Sequence, residues 1–344
     1  MIKLREYKSV ISSVILTTFI SLHCSWTFIR CSEGHSNEIE NQKEINNKNK
    51  IDHIINETKD KYAWTLFKII ITPGEGVQNI DNLKIEDIVS KEYINNENNE
   101  NNEPNAFFLS EEEAQKIGIN NNENDKNDKK DNNKNTYYVL VKDITTKKDE
   151  YELNIPFFKN LQSNAQKNKF TYTIEIFAAN TTGVEDMGHM FYRCVALTKI
   201  VGLNNWDTGN VTDMSYMFGG CEKLTEIKGL DNWNTKSVTN MEGMFWGCEK
   251  LTEKKFGDNW NTENVTNMSW MFCGCEKLTE IKFGDNWNTG DVKDMSNMFY
   301  NCKVLKFEKQ DFKLIIPQQC VINNIIDECE NLSLKGNCIQ NKES

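Results

Sequence analysis

Much that would announce an enzyme is missing from this 344-residue chain. It has four histidines, His23, His35, His53 and His189, and no His-Glu-x-x-His, Gly-x-Ser-x-Gly or glycine-rich phosphate loop. Three of those histidines fall in N-terminal segments that read as targeting or linker sequence, and no nucleophile motif accompanies His189. None of the eleven cysteines forms a Cys-x2-Cys pair, the ligand spacing of structural zinc sites. The many acids in Asp-Asn-Trp and Asp-Met contexts recur with a repeat and read as turn residues. The expectation is a protein that is not an enzyme and needs no cofactor or metal.

A basic stripe is absent as well. The net charge is −11, whereas Met187–Lys306 carries 13 Lys+Arg against 15 Asp+Glu, a net of −2, so the acidity lies mainly in the N-terminal half. Such a balance argues against a nucleic-acid partner. Long apolar runs are equally scarce. Only Ser9–Ile29, "SVISSVILTTFISLHCSWTFI", lacks every Asp, Glu, Lys and Arg, and Lys3, Arg5 and Lys8 precede it. That layout makes residues 1–31 a signal peptide or an uncleaved signal anchor. Membrane contact is expected only through this segment, and the protein is expected to be secreted or at the cell surface.

What is present divides in two. Residues 32–60 form a polar, disordered linker, and 61–173 read as a small α+β domain. Its strands are expected at Tyr62–Thr72, Tyr137–Ile144 and Phe170–Phe177, with a helix opening at Pro156. Two Asn-rich stretches, 95–105 and 120–135, are too polar to fold and read as disordered insertions.

From 174 onward the chain repeats every 27 residues. Met187, Met214, Met241, Met268 and Met295 keep that step, as do Cys194, Cys221, Cys248, Cys275 and Cys302, and Trp206, Trp233, Trp260 and Trp287. One such unit cannot bury its own apolar side, but stacked units can share a core. The expected fold is therefore an α+β N-terminal domain followed by a short leucine-rich-repeat-like β-solenoid of about five coils over 174–307, with 308–344 as a C-terminal cap. The cysteine column reads as apolar filler. Cys273, Cys320, Cys329 and Cys338 read as lying outside it, the last three able to staple the cap.

The segments "WDTGNVTDMSYMFGGCEKLTEI" (Trp206–Ile227) and "WNTENVTNMSWMFCGCEKLTEI" (Trp260–Ile281) resemble the repeats of the BspA-type leucine-rich-repeat surface proteins. The resemblance covers about Ile174–Phe307 and brings no catalytic residues. It implies an exported surface protein whose repeats bind a host or cell-surface protein, as in adhesion. The alternatives are a structural component that associates with itself, or an effector with its activity in the N-terminal domain.

Two turn positions vary while their neighbours do not. One reads His189, Tyr216, Gly243, Trp270, Asn297, and the other Tyr192, Gly219, Trp246, Cys273, Tyr300. Aromatics not fixed by packing favour recognition, so Tyr216, Trp246 and Trp270 are the expected partner-binding residues.

Overall fold

The computed structural model describes residues 63–75, 83–90, 106–111, 114, 135–142, 147–148, 154–155, 158–307, 314–335 and 338–341. The expected signal segment, the linker, the 95–105 insertion and all but the last residue of the 120–135 insertion lie outside them. The described residues belong to one compact unit, Tyr62–Ser344, and contain no helix long and apolar enough to cross a membrane.

The unbroken apolar run at the start of this unit becomes β1 (Trp64–Pro73), covered on both faces, with Leu66, Phe67, Ile69 and Ile71 buried. A short helix α1 (Ile85–Ile88) follows, then strands β2 (Ala106–Leu109) and β3 (Thr136–Lys142). Two-residue strands β4 (Lys147–Lys148) and β5 (Asn154–Ile155) form a separate pair. Helix α2 (Lys159–Asn168) sends Leu161 and Ala165 into the core and ends at Lys169 in a left-handed cap, φ 54°. Strand β6 (Phe170–Asn180) then alternates strictly, burying Phe170, Tyr172, Ile174, Ile176 and Ala178.

The first two repeats add β7 (Leu197–Val201) and β8 (Glu226–Ile227). One six-stranded sheet results, in the order β2-β3-β1-β6-β7-β8. It is antiparallel from β2 to β6 and parallel from β6 to β8. Later repeats supply β9 (Glu253–Lys255) and β10 (Glu280–Lys282), parallel to each other in a second sheet, and a hairpin of β11 (Leu332–Lys335) and β12 (Cys338–Asn341) closes the chain.

This corrects the expected fold class. Among the described residues the elements are mostly strands in a mixed sheet and do not divide into an α+β domain followed by a β-solenoid: the α-helices there are only the four residues of α1 and the ten of α2, with two three-residue 3-10 turns at Leu203–Asn205 and Leu230–Asn232. Strand β6 crosses the 173/174 boundary and joins the N-terminal strands to the repeats in one mixed sheet. Repeat strands β7 to β10 are only two to five residues long, and among the described residues no sheet runs the length of the array.

The sheet breaks between β8 and β9 for a reason visible in the sequence. In the first two repeats the strand runs into Gly-Leu, with Gly202 and Gly229 left-handed at φ 81° and 97° and Leu203 and Leu230 buried. In the next two the order is Phe-Gly, Phe256-Gly257 and Phe283-Gly284. Phenylalanine avoids the left-handed turn, so the chain runs on and Phe256 itself enters the core, 4.4 Å from the Trp260 ring.

The 27-residue step builds turn-rich units that stack. Asp186, Asp213, Asn240, Asn267, Asp294 and Val321 pair in succession as parallel bridges. Inside them, Phe191, Phe218, Phe245, Phe272 and Phe299 stack at 5.4 to 5.8 Å with planes within 5 to 9°. Trp206, Trp233 and Trp260 form a second stack at 6.2 and 6.3 Å, and the indole N–H groups of Trp233 and Trp260 donate to the carbonyls of Leu203 and Leu230. Thr208, Thr235, Thr262 and Thr289 tie each unit to the next through side-chain donation to its backbone carbonyl.

The stack extends one unit past the expected array. Met295, Asn297, Phe299 and Asn301 donate their N–H groups to Val321, Asn323, Ile325 and Asp327. Ile322, Ile325, Ile326 and Cys329 lie one step beyond Met295, Met298, Phe299 and Cys302. Cys329 is thus a sixth member of the cysteine column rather than a staple, and both it and Cys320 are free thiols.

Candidate functional site: an aromatic cleft on the turn edge

The cysteine column offers no chemistry to a ligand. Each thiol is buried, and its Sγ donates to the phenylalanine carbonyl of the preceding unit: Cys221 to Phe191, Cys248 to Phe218, Cys275 to Phe245, Cys302 to Phe272 and Cys329 to Phe299, at 2.9 to 3.3 Å. Filler is therefore an incomplete description of this column, because the thiols also give a second donor to carbonyls that already accept a backbone N–H. Burial pushes Cys194 and Cys248 up to about 12 and holds Cys221, Cys275 and Cys302 well above the ordinary thiol value. Buried thiols held in the neutral form are poor nucleophiles at neutral pH.

The strand face is self-compensated. Glu226 pairs with Lys228 and, at 2.9 Å, with Lys199, and these partners hold its carboxyl below the usual glutamate value. Lys282 pairs with Glu280 at 3.0 Å.

The turn edge is different. A short turn closes after each second-column methionine approach: Tyr192, Gly219, Trp246, Cys273 and Tyr300 donate their N–H groups back to His189, Tyr216, Gly243, Trp270 and Asn297. Closing that turn puts the accepting residue in the left-handed region, at φ 61°, 50°, 55°, 61° and 57° respectively. Glycine and asparagine accept this conformation readily. Another L-residue there costs about 1 to 2 kcal/mol, so backbone geometry does not select His189, Tyr216 or Trp270. Their side chains must account for them.

The two variable columns each contain a ring, a glycine and a ring: Tyr216–Gly243–Trp270 and, one unit earlier, Tyr192–Gly219–Trp246. The glycines let the rings descend. A Cβ on Gly243 would meet the Tyr216 ring at 2.3 Å, and one on Gly219 would touch Tyr216 and Tyr192 at 3.2 and 3.3 Å. Tyr192 and Trp246, two units apart, consequently lean together until their centroids are 6.4 Å apart and their planes 26° from parallel. Tyr216 stands edge-on to both, at 80° and 75°, and its hydroxyl donates to Glu242 Oε1 at 2.7 Å. His189 closes one end, 5.1 Å from Tyr192 and 5.2 Å from Tyr216.

Together His189, Tyr192, Tyr216, Trp246 and Trp270 line an open cleft of about 300 Å³. Trp270 is 38 % exposed, the others half-buried. The structure places Tyr216, Trp246 and Trp270, the residues expected from the sequence to bind a partner, on this one cleft. His189, Tyr192 and Glu242 were not among the expected residues. The ring–glycine–ring order of both columns, offset by one repeat, was the signal that could have found the first two.

Burial lowers the His189 pKa below 6.5, and nearby Asp213, Asp186 and Glu242 oppose that fall. Burial and the bond to Glu242 raise the Tyr216 phenol, so it is a neutral hydrogen-bond donor at physiological pH. The cleft is thus walled by rings, with the Glu242 carboxylate hydrogen-bonded at its edge.

Comparison with known proteins places the repeats but not the ligand. No curated protein matches the chain. Among solved structures, a leucine-rich cell surface protein from Faecalibacterium prausnitzii A2-165 aligns at 20 % identity with a TM-score of 0.25, covering 46 % of this chain and 40 % of that one. A family model matches residues 159–256 and again 222–333, and the two matches together span just over half of the sequence. They take in both α2 and the sixth stacked unit. The chain therefore belongs to the family described as Mycoplasma protein of unknown function, DUF285.

Proposed function

We propose that this is an exported surface protein whose stacked repeats bind a protein displayed on another cell or in its surroundings, with the aromatic cleft as the contact. The observation that carries the reading is the placing of His189, Tyr216 and Trp270 at left-handed turn positions, where the fold itself favours glycine or asparagine. Large rings near one another in a shallow concavity are the usual anchors of protein recognition. The uncharged Ser9–Ile29 segment after Lys3, Arg5 and Lys8 and the likeness of the repeats to BspA-type sequences support export.

Beads coated with the purified protein should adhere to intact cells and lose adhesion once those cells are shaved with protease. The Tyr216→Ala/Trp246→Ala/Trp270→Ala variant should melt cooperatively and fail to adhere. Undiminished adhesion by a folded triple variant would overturn the reading. Self-association of the soluble protein in sedimentation, abolished by the same variant, would replace it with a structural role.

A further inference from the structure

We infer that the cleft receives a positively charged side chain of the partner protein, a lysine whose ammonium group stands among the ring faces. This rests on the cleft's being a protein-binding site and specifies what that site takes. Two features converge on it.

The first is shape. A flat ligand would want coplanar rings, but here Tyr216 stands at 75 to 80° between Tyr192 and Trp246, making walls and a divider rather than a platform. Rings gathered around a small volume can offer a compact cation the face of one and apolar walls from the others. The chain's own Arg193 already uses one of them, its guanidinium carbon 5.2 Å from the Tyr192 centroid.

The second is charge. Glu242 accepts from Tyr216 and, at 3.1 Å, from Asn267 Nδ2, and Asp213 accepts from Asn240 Nδ2 at 3.1 Å and from the Ser215 N–H at 2.7 Å. Those are neutral donors, and among the described residues no ion pair reaches either carboxylate. Asp213 also comes within 3.2 Å of the space a side chain on Gly188 would fill, immediately beside His189. Arg193 is the cation the chain itself sets against these rings, and among the described residues no ion pair joins it to Glu242 or Asp213. Those two carboxylates can each accept a further, charged donor. An incoming lysine can lay its methylenes along the rings and direct its ammonium toward Glu242.

The test is calorimetric titration of the full chain with one peptide made in three forms: lysine, trimethyllysine, and the neutral isostere with a tert-butyl carbon in place of the trimethylated nitrogen. The trimethyllysine form should bind about ten-fold more tightly than its isostere, which matches a cation–ring attraction of about 1.4 kcal/mol. Lysine should bind too, weakened by added salt, and Glu242→Gln should weaken both cations while leaving the isostere unchanged. Equal binding of cation and isostere would overturn the inference and leave an apolar cleft. Absence of all peptide binding, with adhesion of coated beads still lost in the triple variant, would overturn it while leaving the binding function standing. Peptide binding together with normal adhesion by a folded triple variant would do the reverse. Flotation with phosphatidylcholine vesicles, in the absence of lysine-peptide binding, would assign the cage to lipid headgroups instead.

Discussion

Replacing Lys254 by isoleucine should stabilise this protein, and pH should reveal why. Lys254 occupies the place held by Ile200, Ile227 and Ile281 in neighbouring repeats, pairs in register with Ile281 across β9 and β10, and is only 6 % exposed. Burial pulls its pKa from 10.5 down to about 8, with Asp231 and Glu253 resisting. At about 1.4 kcal/mol for each pKa unit, that fall corresponds to about 3 kcal/mol lost by burying the charge at neutral pH. The ammonium lies 5.7 Å from the Phe256 centroid, an attraction that offsets part of the loss. Below about pH 8 folded and unfolded states are both protonated, so the full penalty applies. Between about 8 and 10.5 the unfolded state holds the proton more firmly, and stability rises with pH; above 10.5 both are neutral and the penalty is gone. Lys254→Ile removes that pH dependence. For a chain of this size the melting temperature should rise by about 6 to 10 °C at pH 7, and calorimetric melts of both proteins should converge by several degrees as pH approaches 10. Taking the difference between the two proteins cancels the tyrosines and thiols that also titrate there. A gain that stays constant from pH 7 to pH 10 would show that packing, not charge, distinguishes the two residues. No gain at pH 7 would show that the ammonium reaches water.

Further perturbations read the turn edge and the core. Gly243→Ala places a methyl within 2.3 Å of the Tyr216 ring at a left-handed position, so the melting temperature should fall by about 2 to 5 °C and peptide binding at the cleft should weaken; unchanged binding would show that Tyr216 does not shape the cleft. Native labelling with a maleimide, mapped by mass spectrometry, should modify Cys320 and spare Cys194, Cys221, Cys248, Cys275, Cys302 and Cys329 until the protein unfolds. Cys248→Ala should cost about 1 to 3 kcal/mol in chemical denaturation, because it opens a small void and removes the thiol from the Phe218 carbonyl, which keeps only the Cys221 N–H, whereas Cys248→Ser keeps a second donor there. His189 is neutral above pH 6.5; its stabilising contribution is lost as pH falls from there through its lowered value, because the unfolded chain takes the proton first. Once protonated it adds to the charge of Arg193 against the field of Asp186, Asp213 and Glu242, so cationic peptides should bind less well as the pH falls through that lowered value, and His189→Gln should flatten that dependence.

What could be read in the sequence was whatever one repeat imposes on the next. Met, Phe, Trp and Cys in step had to face inward, and their rings and thiols do form columns. The sheet could not be read in the same way. Which strand pairs with which depends on contacts between distant segments, and the alternation of Phe170–Phe177 fits a domain edge as well as the junction it makes between β1 and β7. The break after β8 turned on a phenylalanine taking the glycine's place and the glycine moving into leucine's, Gly229-Leu230 against Phe256-Gly257, a change that leaves the 27-residue step untouched. The sixth unit was hidden because isoleucines replace Met and Phe at 322, 325 and 326, although Cys329 and Leu332 keep the step. At the candidate site the variable columns were visible, but the inclination of Tyr192 and Trp246 across Gly219 is a three-dimensional consequence of an absent side chain.

The same turn explains why recognition is concentrated on this edge. Everywhere else in the unit a residue is answerable to its copies above and below: a phenylalanine must stack, a threonine must reach the next carbonyl, a cysteine must meet the carbonyl behind it. The left-handed residue points its side chain away from those ladders, so exchanging it costs only the local backbone preference of about 1 to 2 kcal/mol, against about 2 to 5 kcal/mol for a core column. A repeat of this kind can change its outward residue at that point while the hydrogen bonds from Tyr192 to His189, Gly219 to Tyr216 and Trp246 to Gly243 remain in place. The stack then behaves as a frame whose units are each adjustable at this turn. In this chain the positions hold histidine, tyrosine, glycine and tryptophan in succession, and the glycine gives the rings on either side the room to form a cleft.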